Sequence, residues 1–148
     1  MARNSLGALS AGAGSTTLPL LSLYSVAATA FALRECGVFN TTATGVAVRL
    51  VRLSTAGTQG AAVGGAQIGY DVARPTPACK VFNTHTVAPT IADDLGYRAQ
   101  LGAAVGSGVI WTMGDIGIRT AVGTGNGVGV IIENGTGQVC QIYFVWDE

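Results

Sequence analysis

From Leu18 onward the chain reads as short apolar or alternating runs cut by glycine-rich breaks, and helical spacing of apolar positions is scarce. Phe31–Phe39 (FALRECGVF) and Val46–Leu53 (VAVRLVRL) flank the turn-forming NTTATG and predict a hairpin. Further strands are predicted over Ala66–Val72, Cys79–Thr86, Arg98–Ala104, Val109–Met113, Ile116–Thr120, Val128–Glu133 and Val139–Trp146, with one more in the Leu20 region. About ten short strands at this spacing suit a sandwich or a jelly roll. One stretch breaks the pattern: in APTIADDLGY, Thr90 suits an N-cap, Asp93 the third helical position and Gly96 the stop, so a single helical turn is expected. Met1–Thr17 (MARNSLGALSAGAGSTT) is rich in Ala, Gly and Ser and has no period. It predicts an arm that becomes ordered only by docking on the domain or on a neighbouring chain. The expected fold is all-β: a jelly-roll-like antiparallel sandwich over residues 18–148, an extended N-terminal arm over residues 1–17, and at most one short helical turn.

The closing stretch, AVGTGNGVGVIIENGTGQVCQIYFVWDE, sets two glycine clusters around an apolar run. A phosphate-cradling loop needs GxxxxGK[ST], and the single lysine, Lys80, lies outside every glycine cluster. A dinucleotide site needs a helix after its glycines, whereas the β-branched VIIEN that follows is too short for one. Asn126-Gly127 and Asn134-Gly135 are turn dipeptides, because both residue types tolerate positive φ. The stretch therefore predicts a terminal hairpin.

Charge narrows the partners. Only 11% of residues are charged, against roughly 25% in an average soluble domain, and eight basic residues balance eight acidic ones. Nucleic acid and anionic membrane both need clustered cations, so neither is an expected partner. The most apolar window, Leu18–Leu33, is shorter than the roughly 20 residues of a spanning helix and carries Pro19, Ser22, Ser25 and Thr29. Its Ala28-Thr29-Ala30 imitates a signal-peptidase site, but the expectation is that the chain folds in a reducing cytosol and is not secreted. An apolar, nearly uncharged chain is sticky, and permanent assembly is the simplest way to cover it.

Candidate chemistry is thin. Cys36, Cys79 and Cys140 show no ligand spacing and read as buried small hydrophobes. His85 is the only histidine, so the two or three imidazoles of a cupin metal site are out of reach. A triad of His85 with the Asp93-Asp94 pair and a serine lacks a GxSxG elbow. Asp93-Asp94 invites a cation, but a helix start explains it more simply. Glu35, Asp71, Asp115 and Glu133 are too scattered to suggest a glycosidase pair. The sequons at Asn40 and Asn134 fall in turns where Asn is favoured anyway. No catalytic residue, metal ligand or cofactor site is assigned.

Interface residues are easier to nominate. Seven of the eight basic residues are arginines, whose planar fork suits buried pairing, and Arg34, Arg49 and Arg52 are expected near one another on the first hairpin. Trp111, Tyr143 and Trp146 are large anchors; alternation puts Phe144 and Trp146 opposite Tyr143, one set for the core and the other for a partner. Leu6 and Leu9 complete the candidates.

Three stretches, RLVRLSTAGTQG, THTVAPTIADDLGYRAQLGAAVGSGVIWTMGDIGIR and GVIIENGTGQVCQIYFVWDE, resemble small virion proteins of tailed bacteriophages, of the head decoration or cement kind. The resemblance covers most of Leu50–Glu148 and weakens toward the N-terminus. It implies a jelly-roll-like fold, no catalytic signature, a place on the outer capsid surface and the major capsid protein as partner, bridged by a homodimer or homotrimer. A fibre- or tail-associated module that binds a host receptor or carbohydrate is the alternative. It would show exposed aromatics with Asn, Asp or Arg at loop tips, where this chain has mainly Gly, Ala and Thr. An enzyme would need a perturbed acid or base around His85 or Asp93.

Overall fold

The computed structural model describes residues 1–63, 68–71, 73 and 76–148. Among them the chain forms strands and no helix. In chain order these are β1 (Arg3–Leu9), β2 (Leu21–Tyr24), β3 (Ala32–Asn40), β4 (Val46–Leu53), β5 (Thr58–Gln59), β6 (Ile68–Gly69) and β7 (Lys80–Phe82). They continue with β8 (His85–Val87), β9 (Ile91–Leu101), β10 (Gly108–Thr112), β11 (Ile118–Arg119), β12 (Gly127–Asn134) and β13 (Cys140–Asp147). One sheet runs β10-β3-β13-β1-β6, with β11 also against β3, and the other runs β7-β2-β12-β4-β9. β5 and β8 pair separately.

The pairing follows one rule. β1 lies antiparallel to β13, β2 to β12, β3 to β10 and β4 to β9. The outgoing and returning halves therefore form one long ribbon, rolled up so that β1 and β3 enter one sheet while β2 and β4 enter the other. This is the double Greek key of a jelly roll. Alternation along each strand then fills the space between the sheets: Cys140, Ile142, Phe144 and Trp146 of β13 are all fully buried, as are Val128, Val130 and Ile132 of β12. Each large side chain so buried contributes roughly 1.5–3 kcal/mol of transfer free energy, set against the entropy of ordering it.

Several sequence expectations change. Phe31–Phe39 with Val46–Leu53, and Val128–Glu133 with Val139–Trp146, are strands but not hairpins: β3 and β13 share one sheet, β4 and β12 the other. The loops cross the end of the sandwich instead of reversing within a sheet. Asn40 holds one crossing, its buried amide donating to the Thr44 and Gly102 carbonyls at 2.6 and 3.0 Å. Thr42 Oγ1 donates to Gln138 Oε1 at 2.9 Å and joins it to the other.

The helical turn expected at Thr90–Gly96 is absent. Residues 91–96 open β9 instead, where Gly96 takes φ +79° and donates its N–H to Asp94 Oδ1 at 2.8 Å. Asp and Gly at that spacing also make an Asx turn, and here it forms a bulge, with residues 95–97 facing Leu50 alone. The bulge lets Leu95 and Tyr97 pack against the core from the side.

Residues 3–9 do not hang free. They form β1, paired along its whole length with β13, and Asn4 and Leu6 turn inward. The chain's own domain is what the segment docks on. The run predicted over Cys79–Thr86 is split between β7 and β8, Arg98–Ala104 belongs to a strand that begins at Ile91 and ends at Leu101, and Ile116–Thr120 shrinks to Ile118–Arg119. Of Ala66–Val72, Ile68 and Gly69 form a strand; Ala66, Gln67 and Val72 lie outside the described residues.

Candidate interaction surfaces

The two outer faces of the sandwich differ. On the β7-β2-β12-β4-β9 sheet, Tyr24, Val51, Leu53 and Ile131 point away from the main core yet are fully buried beneath Ala56, Phe82 and Ile91. The excursion between β4 and β9 supplies that cover. Toward β9 the same face is bound by charge: Arg49 donates to Asp94 at 2.9 Å, and Arg98 pairs with Asp94 and with Glu133 at 2.6 Å. Arg52, in register with the inward Val128, lies 3.5 Å from Asp93 and donates to the Arg119 carbonyl of the opposite sheet. The Gly96 N–H, ahead of the two guanidinia, holds the Asp94 carboxyl below its ordinary range.

The other outer face is covered only at one end, where Tyr70 and the Gly114-Asp115 turn stand over Val145. Across its strands Ile110, Gly37, Tyr143 and Gly7 form one row, and Thr112, Glu35 and Val145 the next. The Tyr143 ring occupies the space above Gly37: a Cβ there would sit 2.1 Å from a ring carbon. Phe39 likewise lies over Gly108, and the two rings are within 19° of parallel with centroids 6.4 Å apart. Leu9 is 49% exposed and Ile110 52%, so an apolar belt faces outward.

The flanks differ too. On one side β6 and β7 extend the sheets, and the Val63 N–H bonds the Val81 carbonyl. On the other, β9 and β10 are terminal, with no described strand beyond them. β9 guards its edge with the bulge, Asp93, Asp94 and Arg98. β10 (GVIWT) carries no charge, proline or bulge, the condition in which an edge offers itself for pairing.

The nominated residues scatter over this frame. Trp146 (fully buried), Leu6 and Trp111 (both 8% exposed) belong to the core, because inward alternation leaves them no surface for a partner. Trp111 packs beside Tyr97, and Trp146 Nε1 donates to Glu148 Oε2 at 3.1 Å. Tyr143 and Leu9 do face outward, with Tyr143 donating to Glu35 Oε1 at 2.6 Å. Arg34 is not beside Arg49 and Arg52: it lies in the opposite sheet, bonded to Asp147 Oδ2 at 2.6 Å. All three arginines are held by carboxylates of their own chain. The sequence reading missed Asp147, which joins Arg34 to Arg3 and is only 6% exposed. Nothing but the partners' positions reveals it.

His85 sits at the start of β8, 8% exposed, with Nε2 2.8 Å from Ser22 Oγ. Burial lowers its pKa. Ser22 is fully buried, and Asp93 and Asp94 are taken by arginines, so these groups form no nucleophile-base-acid relay open to a substrate. Cys36, Cys79 and Cys140 are fully buried thiols, and Cys79 Sγ lies 3.8 Å from the Thr29 carbonyl. Among the described residues no three of His, Cys, Asp and Glu gather as metal ligands, and no helix is long and apolar enough to cross a membrane. Compared with known protein families, curated proteins and solved structures, the chain matches none.

Proposed function

We propose that the chain is a structural virion protein of a tailed phage, a decoration or cement protein that stabilises the head by bridging major-capsid subunits as a homodimer or homotrimer. Fold alone assigns no task. The observation that supports this reading is the bare β9–β10 flank, where an unguarded edge strand presents Ile110 on its outer side and leaves Val109, Met113 and Tyr97 partly exposed at the rim of the core on its inner side. Val105, 74% exposed on the loop joining the two strands, enlarges the patch. Burying such a surface at several symmetric contacts gives slow release without strong single contacts. The outer capsid surface would be its site, with no membrane or nucleic acid involved. Mixing the purified chain with shells of the same phage's major capsid protein tests this. The expected result is saturable co-sedimentation and a higher shell melting temperature, both lost in Ile110→Asp. A chain left in the supernatant, or an Ile110→Asp variant that binds as well, would overturn it.

A further inference from the structure

The uncovered sheet carries a trough of about 270 Å³, lined by Arg3, Arg34, Glu35, Tyr70, Thr112, Gly114, Asp115 and Val145. Its floor is the row Thr112–Glu35–Val145, and Val145, 8% exposed, forms its apolar base. One wall is Tyr70, 62% exposed; the other is the turn at Gly114-Asp115, to which Arg34 is fastened through the Gly114 and Asp115 carbonyls. Asp147 fixes both guanidinia at the end, taking Arg3 Nε at 2.9 Å and Arg34 Nε at 2.6 Å.

The groups left over are of both kinds. Arg3 keeps Nη1 and Arg34 keeps Nη2 without a described partner, and the hydroxyls of Thr112 and Tyr70 have none either. The Asp115 carboxylate and the second oxygen of Glu35 are open acceptors, Glu35 being aimed by the Tyr143 hydroxyl. Donors and acceptors thus alternate around a small apolar base beside an aromatic ring. Two guanidinia against three carboxylates leave the trough with a slight negative balance, which disfavours phosphates and acidic sugars. The volume lies just under the roughly 300 Å³ at which small-ligand pockets begin, room for one ring.

We infer that this trough is a binding site for a neutral sugar ring, whose hydroxyls both donate and accept and whose C–H face packs against Tyr70. The trough meets the β9–β10 flank only at Thr112, and the two are tested at different residues, Ile110 for the flank and Asp115 and Tyr70 for the trough, so head decoration and glycan adhesion stand or fall independently. Saturation-transfer NMR on the whole chain with the methyl glycosides of glucose, galactose, mannose and N-acetylglucosamine, and with sialic acid, tests it. At least one neutral glycoside should receive magnetisation and sialic acid should not. Asp115→Ala and Tyr70→Ala should each weaken binding by about tenfold, the scale of one charged hydrogen bond or ring contact, at an unchanged melting temperature. Asp93→Ala, on the opposite sheet, should leave it intact. Transfer to none of the four glycosides, transfer to sialic acid alone, or full binding in both trough variants would overturn the inference.

Discussion

The sandwich treats its two outer faces differently. On the β7-β2-β12-β4-β9 side the chain folds its own excursion over Tyr24, Val51, Leu53 and Ile131 and adds a lattice of arginines and carboxylates. On the other side the same kinds of residue, Leu9, Ile110, Phe39 and Tyr143, stay open. The difference teaches where this molecule is complete by itself and where it is left for something else. Both faces descend from strands of alternating pattern, so alternation alone does not separate them; coverage does.

Paired isoleucines give the sharpest contrast. Ile131→Ala, beneath the excursion, is expected to cost about 2–5 kcal/mol in urea unfolding of the isolated chain, the range for truncation in a packed site. Ile110→Ala on the bare face should stay within about 0.5 kcal/mol. Similar costs for the two would erase the distinction.

The bare face has one strong internal tie, Asp147. Asp147→Ala should cost about 3 kcal/mol, since it strands the largely buried Arg34. The Arg3 hydrogen bond, with Arg34 adding to it, holds the Asp147 carboxyl below its ordinary range. Its contribution is therefore fully present above the unfolded value near about pH 3.9 and is lost as pH falls through the lower folded value. Acid unfolding followed by circular dichroism should show a shallower acid limb in Asp147→Asn.

Gly37→Ala is the next step down. A methyl there displaces the Tyr143 ring, an overpacking cost of about 1–3 kcal/mol. Adding Tyr143→Ala should recover much of it, so the double-mutant cycle will be strongly non-additive. The smallest effect belongs to the covered face: Glu133→Gln removes one partner of the half-exposed Arg98, and its shift in melting temperature should vanish in high salt.

These contrasts also show what the residues disclosed in advance. Strand positions and an all-β sandwich were legible, because alternation and glycine breaks are local signals. Sheet membership was not: Asn134-Gly135 announces a reversal, with Gly135 at φ +72°, but not whether the next strand lands beside the last or across the core. Asp94 and Gly96 looked like helix punctuation because a capped helix and an Asx-turned bulge use the same chemistry. The alternation of β1 was hidden by small residues, Gly7 and Ala8 among them, and became visible only against β13. Of the outward-facing residues, alternation set Tyr143 opposite Phe144 and Trp146 without saying which side faces out, and Leu9 was nominated without a period to support it, whereas Asp147, Asp115 and Tyr70 come together from distant parts of the chain.

The account rests on the open flank being an assembly surface, and sedimentation velocity of the purified chain over a wide concentration range measures that most directly. It predicts a species that is a multiple of the 14.9 kDa chain and reverts to single chains in Ile110→Asp. A lone 14.9 kDa particle that stays soluble at the highest concentration would contradict it.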